Sequence, residues 1–93
     1  MYYTRAVKHP RMAAEFEWDD GNLPKLALRG VRPEDVEHVF WNRPRWIPNK
    51  KAAAAEWLMD GHDSGGRRLL VGVLWVDQAE GVLRAITARE LRR

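Results

Sequence analysis

After two arginines, the stretch RRLLVGVLWV at residues 67 to 76 contains only apolar residues and glycine. An apolar run of that length, rich in β-branched and aromatic residues, reads as a central strand covered on both faces. The turn signal DSGG at 63 to 66 precedes it, and DQAEG at 77 to 81 turns the chain into another strand, VLRAITAR. A central strand needs neighbours on both edges and a layer over at least one face, so the rest of the chain must supply them.

The partners are legible. AAEFEW, residues 13 to 18, alternates Ala14, Phe16 and Trp18 with Glu15 and Glu17, as a half-buried strand does. NLPKLALRG reads as a short helix, with Asn22 as its cap, Pro24 in the first turn and Gly30 closing it. VRPEDVEHVFW reads as a longer helix. Pro33 starts it, Glu34 and Asp35 suit its positive end, and Val36, Val39 and Phe40 form one apolar stripe. RWIP reads as a short strand, while KKAAAAEWLMDG fits a helix by its alanines and a strand by its place before a hairpin. The order β-α-α-β-β-β-β predicts an α+β domain, an antiparallel sheet with two N-terminal helices packed on one face. Residues 13–93 form that domain, and residues 1–12 an N-terminal arm expected to pack little against it.

Ninety-three residues support one small domain that buries about 60–65% of the unfolded chain's surface. Sixteen basic against 13 acidic residues give +3, which permits nucleic-acid binding without demanding it. There is no cysteine, so disulfides and thiolate chemistry are excluded and a reducing cytoplasm suits the chain. No apolar run approaches the ~18 residues of a membrane span. The opening MYYTRAVKHPRM lacks the apolar core of a signal peptide, so a cytoplasmic location is expected.

One residue resists this pattern. Strict alternation puts Val82, Arg84, Ile86 and Ala88 on one face of the last strand, with Arg89 on the other. A guanidinium among apolar neighbours is costly unless it is paired or opens into a cleft. Arg84 therefore either clamps a ligand or pairs with Glu15 or Glu17 across the sheet.

Taken in order, FEWDDGN, GVRPEDVEHVF, GRRLLVGV and LRAITAR resemble the BrnT toxins of type II toxin–antitoxin modules, from about Phe16 to Arg89. The resemblance implies a RelE-like fold, a metal-independent endoribonuclease activity, and a cognate antitoxin as partner. It implies no cofactor and no metal. Members of that family often carry histidine where this chain has Lys25 and Arg29, and most continue past ITAR into a terminal helix.

Metal-free RNA cleavage needs a base for the 2′-hydroxyl, an acid for the leaving oxygen and cations for the phosphate. Arg84 and Arg89 are candidate phosphate clamps, because a planar guanidinium matches two oxygens. Lys25 and Arg29, four apart, share a helix face and suit either a phosphate or solvent. Arg67 and Arg68 open the long strand, so one points to each face. His62 is the candidate general acid–base, because histidine as a residue type titrates near neutral pH; His38 flanks the helix stripe and His9 lies in the arm. Asp60, His62 and Asp63 could ligate a metal, but a polar hairpin turn is the commoner explanation. Neither a Gly-rich phosphate loop nor a nucleophilic triad is present, and the single serine, Ser64, lies in a turn.

Two readings of different class remain open: an RNA-cleaving toxin, and a non-catalytic module of the same fold that binds a protein or nucleic acid. Trp41, Trp46 and Ile47, in a proline-bounded segment, are the expected docking cluster for an antitoxin or a second copy, since tryptophan is enriched at binding hot spots.

Overall fold

The apolar run becomes the middle strand of a five-stranded sheet. The computed structural model describes residues 8–51 and 54–92. In chain order its elements are β1 (Glu15–Glu17), α1 (Leu23–Ala27), α2 (Pro33–Trp41), β2 (Arg45–Pro48), β3 (Trp57–His62), β4 (Arg68–Asp77) and β5 (Val82–Glu90), with a 3-10 turn at Pro10–Met12 before them. The strands lie in the order β1-β5-β4-β3-β2. The pairs β2–β3, β3–β4 and β4–β5 are antiparallel, but β1 runs parallel to β5, so the sheet is mixed rather than wholly antiparallel. The reason is topological: β1 and β5 are joined through the whole of the rest of the fold, a connection long enough for parallel pairing.

Both helices serve one core. Leu26 of α1 and Val36, Val39 and Phe40 of α2 are buried with Met59, Leu69, Val71, Val73 and Leu83 of the sheet. Each helix starts and stops where its local chemistry dictates. Asp35 accepts the Arg32 backbone N–H at 2.8 Å, closing the first turn of α2 behind Pro33. Gly30 takes φ +71° and ends α1, where the Val31 N–H donates to the Leu26 carbonyl at 3.1 Å.

β5 breaks the alternation expected of it. Val73 pairs with Ala85 while the adjacent Gly72 pairs with Thr87, so Ile86 is a surplus residue in a β-bulge. Leu83, Ala85 and Ala88 consequently all face the helices and are buried. Arg84, Thr87 and Arg89 lie opposite Leu74, Gly72 and Leu70 and share the other face. The expected grouping of Ala88 with Arg84, and the placing of Arg89 on the opposite side, are thus corrected.

The ambiguous stretch before the hairpin is strand from Trp57 onward; residues 52–53 of it lie outside the described residues. Ala55 rests on the open face above Gly72, where an added Cβ would stand 3.0 Å from the Ala55 Cβ and 2.6 Å from Thr87 Cγ2. Glycine is required at that position so that the backbone can cross over the sheet.

The arm is more engaged than expected. Residues 1–7 lie outside the described residues, but Pro10 is fully buried and the His9 ring packs 4.9 Å from Trp57 and 5.8 Å from Trp46. The Lys8 amide and ammonium both donate to Gln78. Residues 8–12 are part of the domain. Among the described residues, no helix is long and apolar enough to cross a membrane.

Candidate nucleic-acid interface

The sheet face away from the helices carries Arg68, Arg84 and Arg89 of the expected cations, with His62. Register alone sets a row across four strands: Arg45 opposite Asp60, Asp60 opposite Leu70, and Leu70 opposite Arg89. Beside that row, His62 lies opposite Arg68. A groove of about 460 Å³ opens at this end, lined by His62, Arg68, Glu90 and Arg92 among others.

Asp60 organises the row. Its buried carboxylate receives Arg68 Nε at 2.9 Å and Nη2 at 2.8 Å, and Arg45 Nη2 at 3.4 Å. The Arg68 hydrogen bonds hold the Asp60 carboxyl below the usual carboxylate range against the opposing effect of burial, with Arg45 adding to the shift. Arg68 is fixed through two of its three nitrogens, and Nη1 has no partner among the described residues. Arg89 makes no side-chain hydrogen bond or ion pair among the described residues and is exposed. His62 is likewise exposed, its backbone carbonyl tied to Asn42 Nδ2 at 2.9 Å. The site therefore combines one oriented guanidinium, one free guanidinium and one imidazole on a shared surface.

Arg67 goes elsewhere. As adjacency in a strand dictates, it points away from Arg68, and it donates to Asp63 at 3.1 Å, Asp35 at 3.2 Å and the Gly30 carbonyl at 2.9 Å. It is a structural cross-link between the hairpin and the helices, a correction to its expected phosphate-binding role. Asp63 is spent on the same contacts, with its other oxygen accepting the Arg67 and Gly65 amides. The hairpin carboxylates serve arginines.

Arg84 answers the question posed by its position with carboxylates. Nη1 and Nη2 donate to the two oxygens of Asp19 at 2.8 and 2.7 Å, and Nη1 also meets Glu17 Oε1 at 2.7 Å. Pairing across the sheet is the observed alternative, and a free phosphate clamp is not. Lys25 is exposed on α1, but α1 ends at Ala27 and Arg29 lies exposed in the turn that follows, so the expected shared helix face of the two cations is corrected; neither has a hydrogen bond or ion pair among the described residues. His38 is exposed on α2.

The Asp19–Arg84 pair has a pH signature. The Arg84 hydrogen bonds, helped by the Gly21 amide, lower the Asp19 pKa from 3.8 to about 2. Because the folded value lies below the unfolded one, the pair stabilises the protein above about pH 4, and this contribution is lost as pH falls through about 2. The side-chain carboxyl of Asp19, followed by NMR, should titrate near the lower value in the wild type. In Arg84→Gln it should move back toward 3.8; an unmoved midpoint would show that Arg84 is not its partner.

The expected docking cluster is divided by the strand it sits on. Trp46 packs on the core side, 6.0 Å from the Phe40 ring, whereas its neighbour Ile47 pairs with Leu58 on the open face. Trp41 stands apart at the end of α2, 68% exposed. Trp46→Ala should therefore destabilise the fold itself by about 2 kcal/mol, as loss of a half-buried aromatic does. Urea unfolding measures this directly, and a change under about 0.5 kcal/mol would return Trp46 to the surface.

Sequence reasoning missed Arg45 and the part played by Asp60. The signal was present in the alternation of RWIP, which puts Arg45 and Ile47 on one face, but only strand register shows what lies opposite. No protein-family model matches the chain, and no curated protein matches it.

Proposed function

We propose that this protein is the toxin of a type II toxin–antitoxin module, an endoribonuclease that needs no metal and binds its RNA on the open face of the sheet. The observation that supports the reading is that Arg68, Arg89 and His62 share this face by register, His62 opposite Arg68 and Arg89 opposite Leu70. Arg68, held by Asp60, offers its remaining nitrogen to a phosphate oxygen. Arg89 meets the second non-bridging oxygen, where negative charge builds in the five-coordinate transition state. His62 takes the 2′-hydroxyl proton as that oxygen bonds to phosphorus, and water protonates the 5′ oxygen as its bond to phosphorus breaks. The order of segments resembling BrnT toxins supports the same reading and supplies the expectation of a RelE-like fold, an antitoxin partner and a cytoplasmic setting.

One observation favours a second reading. Arg84 and Arg67, two of the expected functional cations, are consumed by internal carboxylates. A module that binds RNA or protein without cutting needs no more than the remaining cations provide. The deciding experiment incubates purified protein with end-labelled single-stranded RNA in the presence of EDTA. Cleavage is expected, reduced about tenfold or more in His62→Ala and in Arg89→Ala. RNA retention without cleavage, lost in Arg89→Ala, would establish the non-catalytic reading. Neither binding nor cleavage would overturn the toxin reading and RNA binding alike, leaving a protein as the partner of the module.

A further inference from the structure

On the other side of the molecule, the edge strand β1 and the flank of α2 bound a groove of about 240 Å³. We propose that this groove receives an extended, cationic segment of a partner protein, which adds a strand to β1 and lays arginine or lysine side chains against Trp41 and the Glu37 carboxylate on the helix side of the sheet, while Glu15 faces the added strand from the opposite side.

Three features carry the inference. The first is the open edge. Among the described residues β1 has a neighbour only on the β5 side, and the Glu15 N–H donates to the Gly81 carbonyl at 3.2 Å. Alternation along a parallel ladder then turns the N–H and C=O of Phe16 toward the empty side, a template for a further strand. The second is Trp41, 68% exposed yet held, since its ring meets Phe40 edge-on at 5.0 Å and 90°. A supported indole with one face in water is a receptor for a guanidinium or an ammonium. The third is charge. This edge is acidic on both sides of the sheet in a chain whose net charge is +3. On the helix side Glu37 is fixed by the Trp18 indole N–H at 3.3 Å; on the opposite side Glu15 shares the face of Glu17, and its side chain has no hydrogen bond or ion pair among the described residues.

The same charges select against a second copy. Antiparallel pairing of two β1 edges centred on Phe16 would set Glu15 of each against Glu17 of the other, and like charges directly opposite are destabilising. A basic strand from a different protein meets no such penalty, and its backbone supplies the hydrogen bonds of strand addition. The inference does not rest on the RNA reading, because the groove lies across the sheet from His62 and Arg68.

The test uses the full-length protein and a blocked peptide of alternating arginine and valine, titrated while amide NMR signals are followed at low salt. Saturable binding is expected, with the largest shifts at Ala14 to Phe16 and at Trp41. Trp41→Ala should weaken it about fivefold, as loss of a cation–π contact does. Glu15→Gln combined with Glu37→Gln should weaken it further, and the peptide methylated on alternate backbone nitrogens should lose most of its affinity. Absent saturation, shifts centred on the opposite sheet face, undiminished binding to Trp41→Ala, or equal binding of the methylated peptide would each overturn the proposal. RNA cleavage by Trp41→Ala, assayed in parallel, should match the wild type, so failure of either reading is visible without the other.

Discussion

Arg67→Ala is expected to cost about 2–3 kcal/mol of folding stability, near the lower end of what breaking a buried ion pair costs. Arg67 is 28% exposed and joins two buried carboxylates, Asp35 and Asp63, as well as the Gly30 carbonyl. Burial alone would raise the pKa of either acid. For Asp35 the backbone and side-chain hydrogen bonds from Arg32 overcome it, with Arg67 adding charge; for Asp63 the Arg67 amide and guanidinium do so, with Gly65. Removing the guanidinium leaves Asp63 without an ion pair among the described residues, in a poorly hydrated place, and Asp35 with Arg32 alone. The backbone donors remain, which keeps the penalty from reaching the top of the range. For a domain of this size the melting temperature should fall by about 10 °C or more. Arg67→Lys should recover only part of the loss, because one ammonium cannot reproduce three directed contacts. A loss under about 1 kcal/mol in urea unfolding would show that water replaces Arg67 freely.

Asn22→Ala is expected to be comparably damaging, at about 3 kcal/mol, because a buried amide serves three backbone groups at once. Its Nδ2 donates to the Glu17 and Ala85 carbonyls, both at 3.0 Å, and its Oδ1 accepts the Asp19 N–H at 2.9 Å. Asn22 thus joins the end of β1, the turn and β5 just before the bulge. Asn22→Asp should be worse than its small volume change suggests, since it sets an anion against two carbonyl oxygens. Chemical unfolding of both variants checks the order. Equal stability of wild type and Asn22→Ala would mean that ordered water takes over the three bonds.

These two residues mark where the sequence stops being readable. Asn22 stands where a helix cap belongs, yet it makes no capping bond, because its partners are remote in the chain and present themselves only after β5 docks. Arg67 and Arg68 are neighbours of one kind. Strand alternation says that they diverge, but which of them meets carboxylates buried beneath the helices is a matter of tertiary placement. By contrast, elements set by local chemistry were legible. The Val36, Val39 and Phe40 stripe, the glycine stop after α1 and the apolar run of β4 all carry their instructions within a few residues. The parallel partner of β1 was not legible, since three residues of strand say nothing of direction. At the site, His62, Arg68 and Arg89 were named from side-chain chemistry alone. Their meeting on one surface depends on register, and Asp60 entered only as a candidate metal ligand.

The surplus residue at Ile86 has a consequence for how the end of this chain is encoded. Downstream of it, inward and outward positions are counted from a phase that the first half of β5 does not share. A deletion of one residue there would leave composition and strand propensity nearly intact, yet it would turn Ala88 out and drive Arg89 toward the hydrocarbon beneath α1 and α2. Chemistry at the tip of the strand is therefore separated from the packing at its root by a single change of phase. The tip can be charged without charging the core.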